Sequence, residues 1–246
     1  MQLQITTHCP HCHSGNIIKN GKTYYGKQNH RCKNCKRQFV ERLEDPVEEY
    51  KEEILPLLLL ERIPLRGIAR VLGHGMSWIY KRMEVLWELL PAELPHGKLS
   101  EAEIGLYCLE ADELWSFVGA KDCKEWVWIA IERRTKLVVG FHIGGRDEEG
   151  ALGLKLSIAP ELLGKSIVFA DDFPSYKNIF RAGQLNQEGK RQTTKIERFN
   201  NTIRQRCSRL VRKALSFSKK WENHYLAIKY FIVNYNLGKI AKNPSL

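Results

Sequence analysis

The chain of 246 residues has no run of 18 or more apolar residues, which excludes a helix that spans a membrane. The apolar stretch Leu57 to Leu60 is closed by Glu61 and Arg62. The first residues, MQLQITTHCPHC, lack the basic-then-apolar order of a secretory signal. No internal repeat or low-complexity segment is present. The seven cysteines do not form a disulfide framework: four are paired as CxxC at 9/12 and 32/35, and those at 108, 123 and 207 are scattered and odd in number. That usage predicts metal binding in a reducing compartment, and hence a soluble cytoplasmic protein with no membrane partner. The length suits two or three small domains, and 43% hydrophobic residues suffice for at least one core.

What is present is charge, and it is segregated. Residues 1–43 carry +7, residues 177–246 carry +13, and the middle carries −9 of the net +11. Basic ends suit a polyanion, because each neutralised phosphate releases counterions. An acidic middle repels DNA unless metal ions offset it. The division therefore fits a metal-dependent nuclease-type enzyme better than a plain DNA binder, with a merely solvated basic surface as the alternative.

Residues 1–43 read as a zinc module. Cys9, Cys12, Cys32 and Cys35 are spaced C-x2-C-x19-C-x2-C. Two such knuckles supply the four thiolates of a tetrahedral zinc site, and the ion would supply the stability that so small a module lacks. His8, His11 and His13 leave a His-for-Cys exchange open. Lys19, Lys22, Lys27, Arg31, Lys33, Lys36 and Arg37 are available to phosphates, with a role only as a brace or in protein contact as the alternative.

Residues 44–90 read as helical. Pro46 suits the first position of a helix after Asp45, with Glu48 and Glu49 in the first turn. Leu65, Ile68, Ala69 and Leu72 recur at helical spacing, Gly73 permits a turn, and Ile79, Met83 and Leu86 resume the stripe. This is a helix-turn-helix pattern, whose second helix would carry Ser77, Trp78, Lys81 and Arg82 into a major groove. A structural helical hairpin has the same pattern. Pro91, Pro95 and Gly97 mark a linker over 91–105.

Residues 106–246 change texture. Strands are expected at 106–118, 126–131 and 136–143, then a helix over 147–160 ended near Pro160, then a fourth strand at 166–170 running into Asp171 and Asp172. The β-β-β-α-β order lets the fourth strand return beside the first. Asp112 and Asp171 would then be neighbours, with Glu197 on a following basic helix. Glu110, Glu113 and Asp172 are open substitutes by position. Converging carboxylates need a cation, and oxygen ligands suit Mg2+ or Mn2+, a pair of such ions being one solution for phosphodiester chemistry. The expected fold class is thus α+β and α/β multidomain: four-cysteine zinc module, helix-turn-helix, and a mixed sheet with flanking helices. The aromatic tail from Trp221 to Tyr235 is expected to be core.

Several stretches together resemble transposases of the insertion-sequence-one family: Ala111-Asp112-Glu113-Leu114-Trp115 with Val118-Gly119-Ala120-Lys121, Asp171-Asp172-Phe173-Pro174-Ser175-Tyr176, and Ile196-Glu197-Arg198-Phe199-Asn200. Arg204-Gln205-Arg206, Ser208-Arg209-Leu210, Arg212-Lys213 and Leu215-Ser216-Phe217-Ser218-Lys219 continue the likeness. The resemblance implies a ribonuclease H-like catalytic domain with a DDE triad. It assigns the triad to Asp112, Asp171 and Glu197, with Arg204 seven residues past Glu197 to hold a phosphate. It further implies binding of double-stranded element ends and target DNA, cleavage without a covalent enzyme–DNA intermediate, at least a homodimer when active, and a nucleoid-associated location. A non-catalytic DNA-binding protein derived from a transposase is the alternative; a cellular nuclease would lack this N-terminal pair of DNA readers.

Overall fold

The structure is a computed structural model that describes residues 8–23, 28–40, 46–97, 99, 106–187, 192–210 and 217–243, without the side chains of 46–49. Lys27, Asp45, the side chains of Glu48 and Glu49, most of 98–105, and Arg212, Lys213, Leu215 and Ser216 therefore lie outside the described residues. The chain divides into two compact units, Met1–Glu53 and Ile54–Leu246.

In the first unit, β1 (Ile17–Lys22), β2 (Gln28–Cys32) and β3 (Gln38–Val40) form an antiparallel meander. Each CxxC closes through a tight turn. His13 and Lys36, the residues that follow Cys12 and Cys35, take left-handed φ angles of 54° and 63°. The turns are pinned by His13 N donating to Cys9 O at 2.8 Å and by Cys32 N donating to Arg37 O at 3.0 Å.

The second unit begins within α1 (Pro46–Leu59), followed by α2 (Leu65–Leu72) and α3 (Met76–Glu88). Leu55, Ile68, Ala69, Leu72, Ile79 and Met83 form their shared core. Between α2 and α3, Gly73 adopts φ 70° and donates its N–H to Ala69 O, a reversal that glycine makes without strain.

Next come β4 (Tyr107–Phe117), β5 (Lys124–Glu132), β6 (Val138–Gly144), α4 (Glu148–Leu156), α5 (Pro160–Gly164), β7 (Ser166–Phe169), α6 (Pro174–Ile179), β8 (Leu185–Asn186), α7 (Thr194–Arg206), a 3-10 turn at Ser208–Leu210, and α8 (Trp221–Lys242). The strands order as β6-β5-β4-β7-β8. β5 is antiparallel to β4 and β6; β7 runs parallel to β4 and β8. Val127 to Ile131 of β5 are buried on both faces, as a central strand with covered faces requires.

Alternation along β4 sorts two cores. Tyr107, Leu109 and Ala111 face the core shared with α4 and α6, whereas Leu114 joins Phe199, Ile203, Ile228 and Phe231 of α7 and α8. α8 is thus the core element expected of the aromatic tail. α4 seats closely on the sheet at Gly150, where an added Cβ would lie 2.3 Å from Gly145 O and 2.5 Å from Trp128 Nε1. Its first turn is capped by Asp147, which accepts from Gly150 N at 2.9 Å.

One boundary differs from the sequence expectation. The helix predicted over 147–160 is two helices: α4 ends at Leu156, and Pro160 opens α5 rather than ending α4. Ala159, before the proline, sits at φ −54° and ψ 130°, outside the helical region that the proline ring disfavours for its predecessor. The proline lacks an N–H, which costs nothing at a helix start.

Candidate functional site

The parallel register of β4 and β7 builds the site. Leu109 lies opposite Val168 and Glu110 opposite Phe169. Continuing by two residues brings Asp112 alongside Asp171, just where β7 has ended and its chain turns away. Asp171 makes that turn by accepting Phe173 N on Oδ1 at 3.1 Å. Carboxylate oxygens of Asp112, Glu113 and Asp171 lie within 4.8 Å of one another. Asp171 is exposed, Asp112 half-buried and Glu113 buried.

Asp112 and Glu113 leave opposite faces of the strand and are held differently. Asp112 Oδ1 accepts Glu113 N at 2.8 Å, and its Oδ2 accepts Asn200 Nδ2 of α7 at 2.6 Å. Burial, then the charges of Glu113 and Asp171, push the Asp112 carboxyl up to about 6. On its own side, Glu113 accepts Tyr176 Oη at 3.0 Å and Arg146 Nε at 2.9 Å. Burial also raises the Glu113 carboxyl, against the pull of Arg146. The Arg146 guanidinium lies 4.5 Å from both the Trp126 and Phe173 ring centres. An all-oxygen donor set whose like charges disfavour ionisation is what a hard divalent cation relieves.

Glu197 is not part of that close carboxylate group. It is exposed on the first turn of α7, and its Oε1 accepts Thr193 Oγ1 at 3.2 Å. Asn200 lies one turn further along the same helix, and half-buried Arg204 another turn beyond. Asp172 is exposed. Glu110, an open substitute at the sequence level, serves elsewhere, accepting Lys195 N and Ile196 N at the start of α7. Sequence reasoning missed Asn200 and Arg146. Asn200 carried one usable signal, its spacing of three residues from Glu197 on one helix. Arg146 carried none, since its partner Glu113 is distant in sequence.

On α3, Ser77 and Lys81 are exposed one turn apart. Trp78 stacks on His74 at 4.0 Å and 7°, with Arg82 5.5 Å from the Trp78 ring centre. This gives α3 an exposed polar edge beside an aromatic–cation ladder.

In the first unit, the sulfurs of Cys9, Cys12, Cys32 and Cys35 converge within 4.8 Å. Cys9 and Cys35 Sγ are 3.5 Å apart, and Cys12 and Cys32 Sγ 3.6 Å. A tetrahedron with zinc–sulfur bonds of about 2.3 Å has edges only slightly longer, so the four sulfurs fit that ion. The Cys35 backbone N–H, followed by burial acting the other way, leaves the Cys32 thiol lowered to about 6, while Cys12, against the pull of the Ser14 backbone N–H, is pushed up to about 12 by burial and the neighbouring sulfurs. The His11 ring pairs with Arg37 instead of joining the sulfurs.

Among the described residues, no helix is long and apolar enough to cross a membrane. Residues 4–36 match the family described as the InsA N-terminal domain, a zinc ribbon. The protein InsB of insertion element IS1 9 from Escherichia coli (strain K12) is 37% identical over 164 residues, covering 64% of this chain and 96% of that protein. InsB of IS1 4 from the same strain is 38% identical over 132 residues, 51% of this chain and 77% of the relative. Residues 105–237, more than half of the chain and the whole of the central sheet, match the DDE family described as IS1 transposase, and the chain belongs to that family.

Proposed function

We propose that the protein is an active DDE-type transposase that binds the ends of its own insertion element, cleaves a strand there with water, and joins the freed 3′ hydroxyl to target DNA. The observation that carries this reading is the convergence of the Asp112 and Asp171 carboxylates just past the end of the parallel β4–β7 pairing, in a sheet of order β6-β5-β4-β7-β8. Asp112, Asp171 and Glu197 would hold divalent Mg2+ or Mn2+, with Glu197 reaching in from α7. When bound, such ions make the attacking oxygen a better nucleophile and screen charge on the leaving oxygen.

The chain's own residues do the rest. Asn200 and the Glu113 backbone N–H orient the two oxygens of Asp112. Arg204 would bind a phosphate flanking the cut. In cleavage, water bonds to phosphorus as the 3′ oxygen leaves and takes up a proton. In transfer, that hydroxyl bonds to a target phosphorus and displaces another 3′ oxygen. Neither step needs a protein nucleophile.

The division into zinc module (1–43), helix-turn-helix (44–90), linker (91–105) and catalytic domain (106–246) assigns DNA recognition to the basic N-terminal parts. One structural zinc would sit on Cys9, Cys12, Cys32 and Cys35. Ser77, Trp78, Lys81 and Arg82 would read the duplex, supported by the exposed edge of α3. Joining two ends requires at least a homodimer, working at the nucleoid.

The test is cleavage and strand transfer on DNA bearing the element's own ends, with Mg2+ and zinc-loaded protein. Asp112→Ala, Asp171→Ala and Glu197→Ala are each expected to abolish both steps and leave end binding largely intact. End binding without cleavage by the wild-type protein would instead favour a non-catalytic DNA-binding role.

A further inference from the structure

We propose that Asn200 is an oxygen ligand of the divalent-cation site, adding its amide Oδ1 to the carboxylates of Asp112 and Asp171. The inference rests on the divalent-ion reading above. It starts from the amide's orientation. Asn200 is 5% exposed, and its Nδ2 donates to Asp112 Oδ2 at 2.6 Å. A carboxylate only accepts, so the amide cannot be turned the other way without setting oxygen against oxygen. Oδ1 is thereby committed to the other side of the same planar group. There it is buried and has no hydrogen-bond partner among the described residues. Buried polar atoms in folded proteins are almost always satisfied, so this oxygen calls for a partner, water or ion, beyond the described residues.

The nature of that partner follows from the neighbours. The amide that carries this oxygen is bonded to Asp112, whose carboxylate lies within 4.8 Å of carboxylate oxygens of Glu113 and Asp171, so its surroundings are rich in acceptors. A cation satisfies all of them at once, and amide oxygens are ordinary ligands for hard divalent ions. Position agrees. Asn200 hydrogen-bonds Asp112 from α7, whereas Glu197 is exposed a turn away and engaged by Thr193. Being neutral, the amide adds a donor without adding negative charge to the group.

A purely structural role, in which Asn200 only pins α7 to β4 through its N–H, predicts a different response to substitution. The experiment is Mn2+ binding to the full zinc-loaded chain without DNA, read by electron paramagnetic resonance of free Mn2+, together with thermal unfolding with and without Mn2+. For Asn200→Ala, at least tenfold weaker Mn2+ binding is expected. Asn200→Asp keeps an oxygen and loses the donor. It is expected to bind Mn2+ as tightly as wild type or more tightly, and to gain more thermal stability from the ion than wild type does. Wild-type affinity in Asn200→Ala overturns the proposal. So does equal loss in Asn200→Asp and Asn200→Ala, which would make the N–H the working group. If Asn200→Ala does not fold, the affinity and thermal gain of Asn200→Asp decide alone. Unchanged Mn2+ binding in both Asp112→Asn and Asp171→Asn would overturn the divalent-ion reading itself.

Discussion

Glu110 caps Ile196 from the middle of the sheet. Its Oε2 accepts the backbone N–H groups of Lys195 at 2.7 Å and Ile196 at 2.9 Å, and its Oε1 takes Arg133 Nε at 2.8 Å. The strand that carries Asp112 is thus tied to the first turn of the helix that carries Glu197 and Asn200. A carboxylate at a helix N-terminus also meets the positive end of the helix dipole. Glu110→Ala leaves two first-turn donors without their acceptor and removes one partner of the partly exposed Arg133, at a cost of about 2 kcal/mol. Urea unfolding measures this. Glu110→Gln, which keeps one acceptor oxygen, is expected to lose less stability than Glu110→Ala.

Arg146 is the cation of the acidic cluster. It pairs with Glu113 while stacked between Trp126 and Phe173, and its side chain is 42% exposed against 1% for Glu113. Arg146→Ala strands a buried carboxylate at a cost of about 2 kcal/mol, below the full value for a buried pair because the arginine is partly solvated. Arg146→Lys is expected to recover only part of this, since an ammonium cannot fill the planar slot between two rings. Chemical denaturation of the two variants gives the comparison.

His224 sets a pH dependence away from the acids. It is wholly buried on α8, with Nε2 2.9 Å from Ser116 Oγ. Burial, then the charge of Arg209, pushes it down to about 4 from an ordinary 6.5. The unfolded chain therefore takes up this proton first as the pH falls. The contribution to stability is complete above pH 6.5 and is lost between there and about 4, amounting to about 3 kcal/mol. His224→Gln is expected to unfold at more nearly equal urea concentrations at about pH 7 and pH 4.5 than wild type does. An unchanged difference would assign the slope to other groups.

Zinc removal should act on the first unit. Wild-type protein is expected to hold one zinc per chain by elemental analysis, and Cys32→Ser none. Chelation should weaken end binding and expose 8–40 to protease, because this small module takes its stability from the metal.

Much of this arrangement was legible in the sequence, and for physical reasons. The paired cysteines announce themselves because chelation needs short, fixed spacings. The β4–β5–β6 meander and β7 show because a covered sheet needs continuous apolar runs, as in Trp126 to Ile131. Their order alone made Asp112 and Asp171 neighbours, while the motif resemblance selected them over Glu110 and Glu113. What stayed hidden depends on tertiary placement. β8 is two residues long and pairs only through its backbone with β7. Glu110 and Glu113 look alike in the sequence, yet alternation sends one to α7 and the other to Tyr176 and Arg146. The break between α4 and α5 hinged on whether Pro160 ends a helix or starts one, which a single proline does not reveal.

On the proposed reading, Asp112 and Asp171 carry phosphoryl transfer through a divalent ion they hold together. The most direct measurement is cleavage of element-end DNA by Asp171→Cys in Mg2+ and in Mn2+, with end binding checked in parallel. Thiolate is a poor ligand for Mg2+ and a better one for the softer Mn2+. End binding is expected to stay normal, cleavage to fall by at least a hundredfold in Mg2+, and Mn2+ to restore much of it. Wild-type cleavage by the variant in Mg2+ would contradict the proposed reading.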